Sequence, residues 1–271
     1  MRGTGDYAAN LLDTNDKESP SSAIPCPRCS AFDGELAEAH VSLAMVMFSF
    51  DLDWAGAEKE FKRAIELKSG YATAHHWYSH YLVAVGRQND ALAEIRQARE
   101  LDPFSLPINT FQGLILYFGR QYDQAIDQCR NTLARHPEWA EELHGQLGNV
   151  YAAKGMDREA VQEWQRALTL SGQTQLAMVL EHAYLRSGYQ GYLKRQLEYS
   201  KGSSTIAFGA ALGLAQLSAR LGDTNQTMVW LERAYQERIP WLLYLNVEPT
   251  FDSVRSDPRF QDLLRRLNLA G

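Results

Sequence analysis

The sequence predicts an all-α fold, a right-handed superhelical solenoid of about six helix-turn-helix repeats with a C-terminal capping segment, and three observations carry that prediction. A small–bulky–small signature recurs at near-constant spacing, turn glycines keep step with it, and the period stops after residue 238. The bulky member of Ala-x-x-x-(bulky)-x-x-Ala is Phe61, Ile95, Cys129, Trp164, Leu197 and Leu231, at intervals of 34, 34, 35, 33 and 34 residues. Its flanks agree: Ala57 with Ala64, Ala91 with Ala98, Ala125 with Thr132, Ala160 with Ala167 and, degenerate, Leu193 with Ser200 and Thr227 with Ala234. Gly86, Gly155, Gly188 and Gly222 supply the reversals. Small residues let two helices approach closely, and glycine lets the chain turn back within a few residues.

The clearest unit runs from Tyr71 to Pro103. Ala74, Tyr78, Leu82 and Val85 fall on one face of a first helix, and Gly86 breaks it. Asn89 and Asp90 are expected to open a second helix by accepting from its unpaired N–H groups, with Ala91, Ile95, Ala98 and Leu101 on the inner face. A helix pair of about 34 residues is the tetratricopeptide period.

Along the chain, residues 1–34 lack the pattern, and DTNDKESPSSAIPCPRCS is the composition of a disordered tail or remnant. Its Cys26 and Cys29 form half of a zinc site without a second CxxC or CxxH to complete it. Residues 35–238 form the solenoid, with repeats at about 36–69, 72–103, 106–137, 141–172, 174–200 and 206–238 and a loop at 201–205. Residues 239–271 are the expected cap, with Asp257 as N-cap, Pro258 as first helical residue, and Phe260, Leu263, Leu264 and Leu267 as the apolar face.

The net charge of -6, with basic residues interspersed among acidic ones, argues against nucleic acid and against a membrane surface. No long apolar run and no basic-then-apolar leader occur, which points to the cytoplasm. Three cysteines make no disulfide framework, and Cys129 sits at a core position. No GxSxG, HExxH or phosphate-binding glycine loop is present, so no catalytic residue, cofactor or metal is assigned and the chain is expected not to be an enzyme.

Three phrases go beyond the generic repeat: LAEAHVSLA at 36–44, DWAGAEKEFKRAIELKSGYATAHHWYSHYL at 53–82 and WLERAYQERIPWLLYLNVEPTFDSVRSDPRFQDLLRRLNL at 230–269. They resemble the tetratricopeptide region at the C-terminal end of bacterial multidomain regulators, where a winged-helix transcription factor, serine/threonine kinase or adenylate cyclase module precedes it. The resemblance covers about residues 36–269 and implies a binding role. The sequence has no kinase glycine loop and lysine, no HRD and no DFG, and 35 residues do not hold a winged helix. Kinase activity and DNA binding therefore do not carry over, and a shortened relative is the expectation.

The expected function is non-enzymatic binding of a protein or peptide segment in the concave groove. If first helices line that groove, their inward positions are Val41, Met45 and Phe48 in repeat one, His76, His80 and Val83 in repeat two, and Thr110, Leu114 and Tyr117 in repeat three. Repeat four offers Gly145, Asn149 and Ala152, and repeats five and six offer Gln175, His182, Arg186, Gln216 and Arg220. The apolar positions suit an apolar peptide and the later basic ones an acidic end. Only Asn149 matches the carboxylate clamp of chaperone-tail binders. A second reading makes His76 and His80, four apart on one helix, ligands of a metal-dependent enzyme or metal-binding module, with the third ligand missing. A third is a regulatory arm packing on another subunit, which makes a homo-oligomer a candidate state.

Overall fold

Small residues at fixed spacing dictate where helices meet, and the computed structural model, which describes residues 36–202 and 210–269, pairs helices at those positions. Repeat one is α1 (Ala37–Val46) with α2 (Trp54–Leu67), repeat two α3 (Ala72–Ala84) with α4 (Gln88–Leu101), and repeat three α5 (Leu106–Phe118) with α6 (Tyr122–Arg135). Repeat four is α7 (Ala140–Ala153) with α8 (Asp157–Leu170), repeat five the kinked α9 (Thr174–Gly202), and repeat six α10 (Ala210–Arg220) with α11 (Thr224–Gln236). Two 3-10 turns, Pro240–Tyr244 and Pro249–Val254, lead to α12 (Pro258–Arg266). No strand occurs among the described residues. The tail at 1–34 with Cys26 and Cys29, most of the loop expected at 201–205, and the start of repeat six at 206 lie outside them.

The signature residues pack as their sizes require. Ala57, Ala64, Ala91, Ala98, Ala125 and Ala160 are buried, and so are Phe61, Ile95, Cys129 and Leu231 between them. Close-packed interiors leave no room for a methylene more at such contacts. Leu197, the bulky residue of the degenerate fifth copy, is only partly buried.

Each reversal passes through one residue of positive φ, at Leu52, Gly86, Arg120, Gly155, Gly188 and Gly222. The intervals repeat the 34, 34, 35, 33 and 34 of the core signature. At Gly188, φ is 62° and ψ is -158°, a combination open essentially to glycine alone, and it bends α9 into two helices. Leu52 and Arg120 fill the same place with a side chain, which is why a search for glycines misses two of the reversals.

One local expectation gives way, and one local feature is new. In repeat two, α4 begins at Gln88 with Arg87 at its cap and no side-chain cap bond, and the Asp90 carboxylate accepts from Arg87 Nε at 2.7 Å. In repeat one, α1 passes into a π-helical turn, Met47–Asp51, before Leu52 reverses the chain. Its i→i+5 hydrogen bonds widen the turn, so each residue advances less around the axis than an α-helical count assumes.

After α11 the chain leaves through Arg238, at φ 51°, and the period ends. Prolines at 240 and 249 each start a 3-10 turn that lacks the length to form another helix pair. This segment crosses back over the inner face of the early repeats, where Tyr244 stacks on Phe118 with ring centroids 5.4 Å apart and packs beside His80 and Phe111. Then α12, N-capped by Asp257 as expected, packs on α11 through a buried Phe260, Leu263 and Leu264. Trp54 Nε1 donates to the Leu267 carbonyl at 3.3 Å and Asn268 Nδ2 to the Leu52 carbonyl at 3.4 Å, which joins the first repeat to the last residues of the fold.

Candidate functional site

The first helices α1, α3, α5 and α7 lie side by side, so their inward residues share one surface. Residues at the expected positions meet three different environments on it. Val41, Phe48 and Val83 are buried in the core, and Met45 is packed against it. Phe48 meets Trp54 and Tyr81 edge-on at 5.5 and 6.2 Å, on the same buried stripe as Ala37, Val41 and Ala44.

His76, His80 and Tyr117 lie under the C-terminal segment. His80 Nδ1 is 2.6 Å from the Tyr244 hydroxyl, and its Nε2 is 3.2 Å from His76 Nε2. Burial pulls the His76 pKa down to about 4, and burial with the neighbouring His76 holds His80 well below its usual value. Both rings are therefore neutral near pH 7, with nitrogens engaged by one another and by Tyr244. Among the described residues no group of three or more His, Cys, Asp or Glu is placed to hold a metal ion. Beside them the Tyr117 hydroxyl donates to Glu248 Oε1 and lies 3.3 Å from Thr250 Oγ1, while Arg120 pairs with Asp252 at 2.7 Å. Burial, then the Glu248 charge, raises the Tyr117 pKa far above its usual value, so it stays a hydrogen-bond donor.

Thr110, Leu114 and Asn149 line an opening that the C-terminal segment leaves uncovered. It is a cavity of 420 Å³ walled by α5, α7, α10 and the segment from Trp241 to Phe251. From α7 come Glu142, Gly145, Gln146 and Asn149, and from α10 Leu212 and Gln216. Trp241 stands at the wall with 48% of its surface exposed. A Cβ built on Gly145 would meet no atom within 4 Å, so this mid-helix glycine leaves open space where any other residue would project. Nearby, Gln146 Oε1 accepts from the Cys129 thiol at 3.2 Å, and burial pushes that thiol up to about 12, which makes it inert. Arg220 donates to Asn149 Oδ1 at 3.0 Å and lies 5.0 Å over the Trp164 ring, turned to the cavity's edge. His182 and Arg186 are exposed on the first half of α9.

Neither a family model nor a curated protein matches the sequence. Solved structures do. One chain of the APC/C hetero-tetramer Cut9–Hcn1 superposes with a TM-score of 0.52 at 17% identity, over 87% of this chain and 43% of that one. PilW, described as a widely conserved type IV pilus biogenesis factor, gives 0.50 at 17% identity over 84% and 98%. A tetratricopeptide repeat protein from Parabacteroides merdae gives 0.50 at 16% identity over 87% and 93%. The chain has the tetratricopeptide-repeat fold.

Within that fold, a polar ladder that no motif announces joins the two helices of each of the first four pairs. His40 bonds Glu60, His75 bonds Glu94, Gln128 Nε2 donates to the Asn109 carbonyl, and His144 bonds Glu163. The members recur every 34 or 35 residues, so the period that marks the apolar positions marks these too. Burial works to lower the His75 pKa, but Glu94 and the Ser69 carbonyl, both bonded to its ring, hold it above the ordinary value. Of the three histidines on α3, His75 thus belongs to the ladder and His76 and His80 to the socket of Tyr244.

Proposed function

We propose that this chain is a non-enzymatic interaction scaffold that holds a segment of a partner protein in the cavity between α5, α7, α10 and residues 241–251. The observation that supports it is the combination of size and lining: 420 Å³ of open, mainly apolar space with the polar side chains of Thr110, Asn149 and Gln216 at its wall. Sites of this kind combine an apolar wall with a few fixed polar groups. In this reading residues 35–238 form the solenoid and residues 239–271 act both as its cap and as one wall of the site. A cytoplasmic protein that binds neither nucleic acid nor membrane fits the interspersed charges, and no helix among the described residues is long and apolar enough to cross a membrane.

The test is a plug. Gly145→Trp fills the space without a clash at its Cβ. Partners recovered on immobilised parent protein are expected to be lost on this variant at unchanged melting temperature. Retention of the same partners with equal affinity overturns the reading.

A second reading, a regulatory arm packed on another subunit, is favoured by Met178 and Leu185. They are 51% and 74% exposed, seven apart and so on one face of α9. Light scattering decides it, since a homo-oligomer dissociated by Leu185→Lys supports the arm and a monomer does not.

A further inference from the structure

We propose that the segment taken by the cavity carries a lysine or arginine beside a bulky apolar side chain. This rests on the preceding assignment of the cavity as the binding site. Its interior is apolar, formed by Leu114, Phe118, Leu212, Leu245 and Phe251. Two carboxylates, Glu142 and Glu248, border that interior, and no Lys, Arg or His lines it. Glu142 makes no hydrogen bond or ion pair with any described residue. Glu248 Oε1 accepts from the Tyr117 hydroxyl and from Thr250 N at 3.0 Å, and Oε2 has no partner among the described residues.

The cations nearest the site are already engaged. Arg120 and Arg255 both pair with Asp252, and Arg220 is bonded to Asn149 and laid over Trp164. The fold therefore brings two carboxylates to an apolar hollow and ion-pairs neither, while Arg220, whose bonded partners are neutral, stands at its edge. An incoming cation supplies the missing charge, and the exposed indole of Trp241 offers it a π face at the wall. An acidic segment meets repulsion at the same place, which sets this site apart from a clamp for a terminal carboxylate.

Selection from a phage-displayed random peptide library on the full chain tests this, followed by fluorescence anisotropy with the enriched peptides made synthetically. Enriched peptides are expected to place Lys or Arg within two residues of Leu, Ile, Phe or Trp. Their binding is expected to weaken about tenfold in Glu142→Lys. It is expected to return when the basic residue of the peptide is replaced by glutamate, and to be lost in Gly145→Trp. Peptides lost in Gly145→Trp but enriched without basic residues, and indifferent to Glu142→Lys, overturn the charge preference while leaving the cavity in place. Peptides that bind Gly145→Trp as tightly as the parent overturn the cavity itself and this inference with it.

Discussion

Repeats two and four share a helix-pair backbone and differ in what their first helices put on the inner surface. In α3, His76 and His80 build a polar socket that Tyr244 fills, whereas α7 offers Gly145 and Asn149 and leaves a hollow. Large side chains gave the C-terminal segment something to seat on, and small ones left the space beside it empty. The inner surface of a repeat solenoid is thus not uniformly available to a partner. Side-chain volume at a few inward positions decides where the chain covers itself and where it stays open.

The sharpest way to break this contrast is at the plug. Tyr244→Ala removes a buried ring shared by α3 and α5 and is expected to lower stability by ~3–5 kcal/mol, measured by urea unfolding. Trp241→Ala, three residues earlier on the same segment's open side, should cost clearly less, since about half of its indole is exposed. Equal effects would show that the segment is not seated as described.

Acid probes the same socket. An unfolded chain protonates His76 and His80 near their ordinary value, about 6.5, whereas the folded His76 resists until about 4 and burial holds His80 well below its ordinary value. Between those values the unfolded state binds the extra protons, so the stability is full above about pH 6.5 and is lost as pH falls, on the order of 3 kcal/mol for His76 alone. His75 has the opposite sign: its contribution is full below the unfolded value and is lost as pH rises through the raised folded one. Replacing the whole socket, His76→Leu with His80→Leu and Tyr244→Phe, should flatten the fall in melting temperature between pH 7 and pH 5. A slope unchanged from the parent would place the acid sensitivity elsewhere.

Packing between paired helices tests what the two repeats have in common. Ala98→Trp in repeat two should destabilise by ~1–3 kcal/mol through overpacking, since Ala98 is fully buried. Ala167→Trp in repeat four should do less, because Ala167 is partly exposed. The smallest effect is expected within α7, where two glycines should respond with opposite signs. Gly145→Ala gains up to ~1 kcal/mol of helix propensity in open space, whereas the Cβ of Gly148→Ala collides with the Trp164 indole and destabilises. Thermal melts of the two variants give the comparison directly.

The repeats were legible because their causes are local. Helix faces, reversals and small-residue contacts all lie within one period of about 34 residues, and the register that follows points Thr110, Leu114 and Asn149 to the wall where the cavity lies. Two kinds of feature escaped. Val41 and Phe48 are expected on the inner surface and found inside, because they continue the buried stripe of Ala37 and Ala44, which a repeat period does not tell from the surface beside it. The return of the C-terminal segment depends on contacts such as His80 with Tyr244, 164 residues apart, for which a repeat period carries no information.

The bonds from Trp54 to Leu267 and from Asn268 to Leu52 bear on how the molecule yields to force. An open stack of repeats peels from its ends, one pair after another, because each pair touches only its neighbours. Here a contact spanning 213 residues ties the first turn to the last helix, so tension applied across the fold loads that latch before any repeat. Stretched between residues 54 and 267, the chain is expected to hold as one body and then release its repeats in a single rupture, in place of the staircase of small steps that an untied solenoid gives.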